Sequence, residues 1–209
     1  MPYGAYWSTP FCRWQGRLAG EHAIALAAGV GRSALAARGV DPAEIDAVHL
    51  GTTVPQLDAF YGAPWLAGML GIPTVTGPTL SQACATSVRT MVSAALEVEA
   101  GQRRCVLAVT CDRTSNGPHL YYPDPSAPGG RGTSTDWVWD AFSRDPYAEN
   151  AMIETAERVA AAQGLGRAAQ DEVTLLRYAQ YADALADDRA FQRRYMVAAE
   201  VGRGGSASR

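Results

Sequence analysis

Short apolar runs alternate along this chain with longer segments of helical periodicity, and this alternation limits the possible fold more than any other feature. The runs 47–51 and 105–109 are nearly continuous in apolar residues, which is typical of strands buried on both faces of a parallel sheet. The other predicted elements are helices at 21–38, 58–70, 87–101, 150–163 and 167–187 and weaker strands at 5–8 and 73–77. This order predicts an α/β fold in which helices cover both faces of a mostly parallel sheet.

Cys84 lies where an extended segment gives way to one of these helices. In that helix Val88, Met91, Val92 and Leu96 recur at helical spacing and form one apolar face. Backbone N–H groups at a helix N-terminus are unpaired and carry partial positive charge, so they stabilise a thiolate and make it a better nucleophile. The local pattern fits two interpretations, an activated nucleophile and a buried, inert cysteine.

Four segments, in order, resemble the N-terminal part of the thiolase superfamily. Residues 81–89, Ser-Gln-Ala-Cys-Ala-Thr-Ser-Val-Arg, are similar to the family's nucleophile region, and residues 151–160, Ala-Met-Ile-Glu-Thr-Ala-Glu-Arg-Val-Ala, to a helix of its loop domain. Residues 39–52 are similar to the family's turn and second strand. Residues 114–123 are similar to the segment that follows the strand after the nucleophile helix. The resemblance covers nearly the whole chain but only about half of a family member.

The resemblance implies a thiolase-like fold, layered α-β-α-β-α, of which this chain holds most of the N-terminal half and part of the loop domain. We expect an N-terminal core at 1–112, a loop domain at 113–201 and a disordered tail at 202–209. An aromatic, Pro- and Gly-rich excursion fills 112–149. Its aromatic residues favour a structured segment that shapes a pocket or an oligomer contact over a floppy surface insertion.

Composition excludes several other classes. A net charge of −3 gives no reason to expect binding to nucleic acid or to an anionic membrane. No apolar run approaches the ~20 residues that a membrane span needs. The four cysteines lack metal-ligand spacing, and a chain of 209 residues does not need disulfide staples. We therefore expect reduced thiols, no metal site and a cytoplasmic location.

The resemblance also implies a chemistry and the residues that perform it. Cys84 would be the catalytic nucleophile that forms an acyl-enzyme with a coenzyme A thioester, which enters as substrate, so no bound cofactor is required. Met152 would line the acyl pocket, and His119 is a further candidate for substrate contact. Two departures from the family pattern, Ala151 where biosynthetic members often carry histidine and Ala-Thr-Ser after Cys84, favour a substrate other than acetoacetyl-CoA.

Part of the family's active site is missing from these residues. The histidine that activates the nucleophile, the second cysteine and the water-binding asparagine belong to C-terminal motifs that do not occur here. We therefore expect the isolated chain to be inactive and a second polypeptide to carry those motifs, in a homodimer or heterotetramer. A truncated product and a non-catalytic acyl-CoA-binding or scaffold subunit are the alternatives. A ketosynthase-like enzyme shares the fold, but the helix at 151–160 favours the thiolase branch.

Overall fold

The computed structural model describes residues 4–202, which divide into two compact units. The first holds residues up to Gly117 and from Met196 onward, and the second is Pro118–Tyr195. The predicted disordered tail, apart from Gly202, lies outside the described residues.

The first unit is a small parallel sheet between helices. Its elements are α1 (Ala23–Ala37), β1 (Ala47–Gly51), α2 (Gly62–Met69), β2 (Thr79–Leu80), α3 (Thr86–Glu99) and β3 (Val106–Thr110). The strands run in the order β2-β1-β3, and both pairings are parallel. Within residues 4–202 no strand pairs with the outer edge of β3. The predicted α/β class and parallel sheet are confirmed.

Side chains of the central strand β1 alternate between two layers, as the period of a strand requires. Val48 and Leu50 join the hydrophobic core that α1 and α2 build on one face of the sheet. On the other face, where α3 packs, His49 lies 3.2 Å from the carboxylate of Glu97. All five residues of β1 are buried, so its apolar run reflects burial on both sides.

Two predicted strands do not form. Residues 5–8 contribute only an isolated bridge between Ser8 and Met196. The strand predicted at 73–77 is displaced to Thr79–Leu80, although Thr76 O already accepts the backbone N–H of Val48 at 3.1 Å. The displacement has a physical reason, since Pro73 and Pro78 have no N–H to donate to a ladder.

The second helix also starts later than its periodicity predicts. Residues Ala59–Tyr61 form a 3-10 turn before α2 begins at Gly62. Asp58 and Gly62, on either side of that turn, have φ of 60° and 34°, which breaks the α-helical path.

The second unit is built from a hairpin and four helices. Strands β4 (His119–Tyr122) and β5 (Thr133–Asp136) pair antiparallel and are followed by α4 (Trp139–Ser143), α5 (Met152–Ala162), α6 (Arg167–Ala184) and α7 (Ala186–Arg193). The aromatic excursion is therefore structured. Its aromatic side chains, however, are exposed, so they do not line a buried pocket of this chain, and the oligomer contact stays a prediction. These are Tyr121, Tyr122, Trp137, Trp139, Phe142 and Tyr147.

The second unit has no apolar core of its own. Between Pro118 and Tyr195 no apolar side chain is buried, and Asn150 is the one buried residue. Asn150 holds the start of α5, because its amide donates to Thr155 Oγ1 at 2.7 Å. Hydrogen bonds within helices and the hairpin thus define this unit more than burial does.

Candidate active site

Cys84 occupies a short 3-10 turn, Ala83–Ala85, which leads directly into α3. The residue is exposed. Ala83, immediately before it, has φ of 45°, in the left-handed region that residues with a Cβ rarely adopt. The structure thus places the sequence-predicted nucleophile in an accessible turn at a helix start.

The end of β1 allows α3 to approach the sheet closely at this point. A Cβ on Gly51 would lie 2.4 Å from Thr90 Oγ1 and 2.9 Å from Thr86 Cγ2. Thr86 and Thr90 are buried, and Thr90 Oγ1 donates to Thr86 O at 2.8 Å. The small side chains on the buried face of α3 therefore determine how close the helix, and the Cys84 turn at its start, lies to the sheet.

A single carboxylate ties together the loops that follow β1 and β3. Asp112 accepts hydrogen bonds from Thr52 Oγ1 (2.9 Å), from the backbone N–H of Thr53 (2.8 Å) and from the backbone N–H of Val54 (2.8 Å). Its other oxygen accepts from Thr53 Oγ1 at 2.6 Å. Hydrogen bonds to a charged acceptor are the stronger kind, so Asp112 fixes this end of the sheet.

The apolar face of α3 points to solvent. Val88 and Leu96 are 57% and 55% exposed, and Met91 and Val92 are exposed as well. A groove of about 200 Å³ opens on this surface. Its lining residues are Gln82, Ala85, Val88, Arg89 and Val92. A larger open depression of about 550 Å³, lined by Asp58, Tyr61, Pro64 and Trp65, holds none of the predicted site residues.

The other cysteines differ from Cys84. Burial of the thiol, with a smaller contribution from the Asp112 carboxylate, raises the pKa of Cys111 to about 12. Burial and the carboxylates of Asp46 and Glu44 also raise the pKa of Cys105. Both thiols stay protonated near neutral pH and are poor nucleophiles. Cys12 is exposed, like Cys84, but lies in a loop before the first helix.

The histidines have local partners. His49 is fully buried opposite Glu97, and His22 Nε2 lies 2.8 Å from Leu57 O, with its ring edge-on to Trp65. His119, on β4, is exposed and lies 3.7 Å from the carboxylate of Asp136 across the hairpin. Within residues 4–202 no three His, Cys, Asp or Glu side chains converge to hold a metal ion.

The two predicted substrate-contact residues lie in the second unit, on separate elements. His119 is on β4, and Met152 is the first residue of α5, where it is 47% exposed. Cys84 is in the first unit. Sequence reasoning missed Thr86, whose hydroxyl accepts from the backbone N–H of Gln82 and donates to Ala83 O. The tendency of threonine to form hydrogen bonds with nearby backbone groups is the signal that could have identified it.

None of the helices within residues 4–202 combines the length and apolarity needed to cross a membrane. This finding concerns the described helices alone.

Comparisons with known proteins agree with this geometry. The family model described as "Thiolase, N-terminal domain" matches residues 5–198. The acetyl-CoA acetyltransferase of Paracoccus denitrificans is 29% identical over 170 residues, 78% of this chain and 42% of that protein. The beta-ketoadipyl-CoA thiolase of Pseudomonas knackmussii is 32% identical over 177 residues, 80% of this chain and 44% of that protein.

Among solved structures, the acetyl-CoA acetyltransferase of Bacillus anthracis matches with a TM-score of 0.79 and 27% identity. The match covers 90% of this chain and 48% of that one. The chain therefore spans less than half the length of the relatives it matches.

Proposed function

Because the chain belongs to the thiolase family, whose N-terminal domain it matches over 5–198, we propose that it is the nucleophile-bearing subunit of an acyl-CoA acyltransferase. The observation that carries the proposal is the position of Cys84, exposed in the turn that leads into α3. The relatives named above are acetyltransferases and a thiolase. Their names support a coenzyme A thioester as the substrate.

In the proposed reaction the Cys84 thiolate attacks the carbonyl carbon of an acyl-CoA or the ketone carbon of a 3-ketoacyl-CoA. An S–C bond forms, and collapse of the tetrahedral intermediate expels coenzyme A thiolate from an acyl-CoA. From a 3-ketoacyl-CoA it breaks the C–C bond instead, expels the enolate of acetyl-CoA and leaves the shortened acyl group on Cys84. The backbone N–H of Cys84 stabilises the oxyanion of that intermediate. The acyl group then passes from Cys84 to a second thiol or to an enolate, which restores the free thiolate.

We assign the rest of the catalytic machinery to a second polypeptide. The resemblance implies an activating histidine, an acid/base cysteine and a water-binding asparagine, and none of their motifs occurs in the 209 residues. Three features of residues 4–202 support such a partner: the exposed apolar face of α3, the outer edge of β3, with which no described strand pairs, and the absence of buried apolar side chains in Pro118–Tyr195. Exposed apolar patches and open sheet edges commonly mark interaction surfaces.

Acyl transfer to Cys84 tests this function. The chain, in whatever assembly it forms when isolated natively, is incubated with acetyl-CoA and with longer acyl-CoA esters. We expect one acyl group on the peptide that contains Cys84, detected by mass spectrometry after digestion. Cys84→Ala should abolish the label, whereas Cys12→Ala should leave it unchanged. Acyl-CoA binding without any label on Cys84 would favour the scaffold alternative and contradict the enzyme.

Met152 and His119 complete the proposal as substrate-contact residues, with Met152 lining the acyl pocket. Met152→Trp is expected to lower kcat/KM for long acyl substrates about tenfold more than for short ones, because one added bulky side chain shortens an apolar pocket. The measurement is the chain-length profile of the complete assembly. Ile153→Trp is the matched control, since Ile153 is the next residue of α5 and is 73% exposed. Equal profiles for the two variants would place Met152 outside the pocket.

A further inference from the structure

The turn that carries Cys84 holds one residue in an unfavourable backbone conformation. Ala83 has φ of 45°, where the Cβ of an L-residue crowds the backbone. Such residues persist only when surrounding contacts enforce their conformation, and they cluster at functional sites. Some group in the structure must therefore oppose the tendency of Ala83 to relax.

The side chain of Thr86 supplies that opposing contact. The backbone N–H of Gln82 donates to Thr86 Oγ1 at 2.8 Å, and the same hydroxyl donates to Ala83 O at 2.7 Å. One hydroxyl thus bonds both residues that precede Cys84. Thr86 is only 5% exposed, so these two hydrogen bonds lie on the buried side of the turn.

Thr86 is itself fixed by the sheet beneath it. Its methyl group packs against the Cα of Gly51, and a Cβ at position 51 would lie only 2.9 Å from Thr86 Cγ2. Its carbonyl accepts from the hydroxyl of Thr90, which is fully buried. A continuous path of contacts therefore runs from the end of β1 through Thr86 to the Cys84 turn.

We infer that Thr86 is the positioning residue for the Cys84 thiol. Its hydroxyl holds Ala83 in the left-handed conformation and thereby fixes the directions of the Cys84 side chain and backbone N–H. The inference rests on the proposed role of Cys84 as nucleophile and adds the residue that orients it. Thr86 touches no reacting atom in this role and acts only through the backbone of the turn.

The rate of Cys84 alkylation tests the inference on the protein as it exists. Limited labelling with iodoacetamide between pH 6 and 9.5, followed by peptide mapping, gives the ratio of Cys84 to Cys12 rates. Thr86→Val keeps the shape but removes the hydroxyl, and we expect it to lower this ratio about tenfold, since small misplacements of reactive groups have large kinetic effects. Thr86→Ser keeps the hydroxyl and should remain within about twofold of the original ratio.

Thr174→Val is the matched control, because Thr174 also donates to a helical carbonyl, that of Gln170, in the other unit. Circular dichroism checks that each variant is folded, and Thr86→Ala replaces Thr86→Val if the latter does not fold. A folded variant lacking the hydroxyl with an unchanged ratio overturns the inference, as does a Thr86→Ser ratio as low as that of Thr86→Val. If Cys84 of the unsubstituted protein reacts no faster than Cys12, the proposal that Cys84 is the nucleophile is contradicted, and the inference about Thr86 is contradicted with it.

Discussion

Assayed alone, the 209-residue chain is expected to give no measurable thiolysis of acetoacetyl-CoA or of longer 3-ketoacyl-CoA substrates. None of its histidines matches the family's activating residue, and His49 is enclosed beside Glu97. Loss of one member of a cooperating catalytic set commonly lowers kcat by about 10⁴-fold or more. The measurement is the decrease in absorbance of the substrate enolate with coenzyme A present, before and after the chain is separated from any co-purifying polypeptide.

Size-exclusion chromatography with mass spectrometry of the native material is the companion measurement, because it identifies any second chain. Activity that follows the assembly and disappears from the separated chain would agree with the proposal. Near-normal turnover by the rigorously isolated chain would contradict it and would direct attention to His119, the exposed histidine on β4. His119→Ala should then remove that activity.

A second large effect is expected from the contrast between two leucines. Leu66 of α2 is 0% exposed and belongs to the core, so Leu66→Ala should lower the free energy of unfolding by about 2–5 kcal/mol. Leu96 of α3 is 55% exposed, and Leu96→Ala should change the free energy of unfolding of the isolated chain by less than about 0.5 kcal/mol. Urea denaturation followed by circular dichroism measures both variants.

The same two variants also test which molecule covers the apolar face of α3 in solution. If Leu96→Ala is as costly as Leu66→Ala and the denaturation midpoint rises with protein concentration, copies of the chain cover this face by self-association. If the cost of Leu96→Ala appears only after a second polypeptide is added, the face belongs to the interface with that polypeptide.

Local sequence signals predicted the strands with the strongest apolar runs, although these two strands pair with each other far apart in sequence. The apolar run 47–51 becomes β1 with the predicted bounds, and 105–109 becomes β3, shifted by one residue. Signals for weak strands failed where backbone donors are missing, as beside Pro78, or where the partner segment offers only a single bridge, as Met196 does for Ser8. Strand pairing over long separations is a tertiary property that a local window does not contain.

The packing of α3 could not be predicted from its pattern. Its apolar residues define one face, but the sheet takes the other face, where Thr86, Thr90 and Ala94 are buried. Gly51 explains the choice, because only small side chains fit where the helix approaches β1 so closely. The sequence identified Cys84 as a candidate, whereas the strained Ala83 and the hydroxyl that restrains it require coordinates to be seen.

The lack of buried apolar side chains in Pro118–Tyr195 has a consequence for the life of this chain in a cell. A segment that buries so little opens often, and opened segments are what proteases cut and chaperones retain. If the proposed second polypeptide covers these helices, its supply controls how much of this chain survives after synthesis. Copies made in excess would be degraded as orphan subunits, so the abundance of the enzyme would follow the scarcer of the two chains.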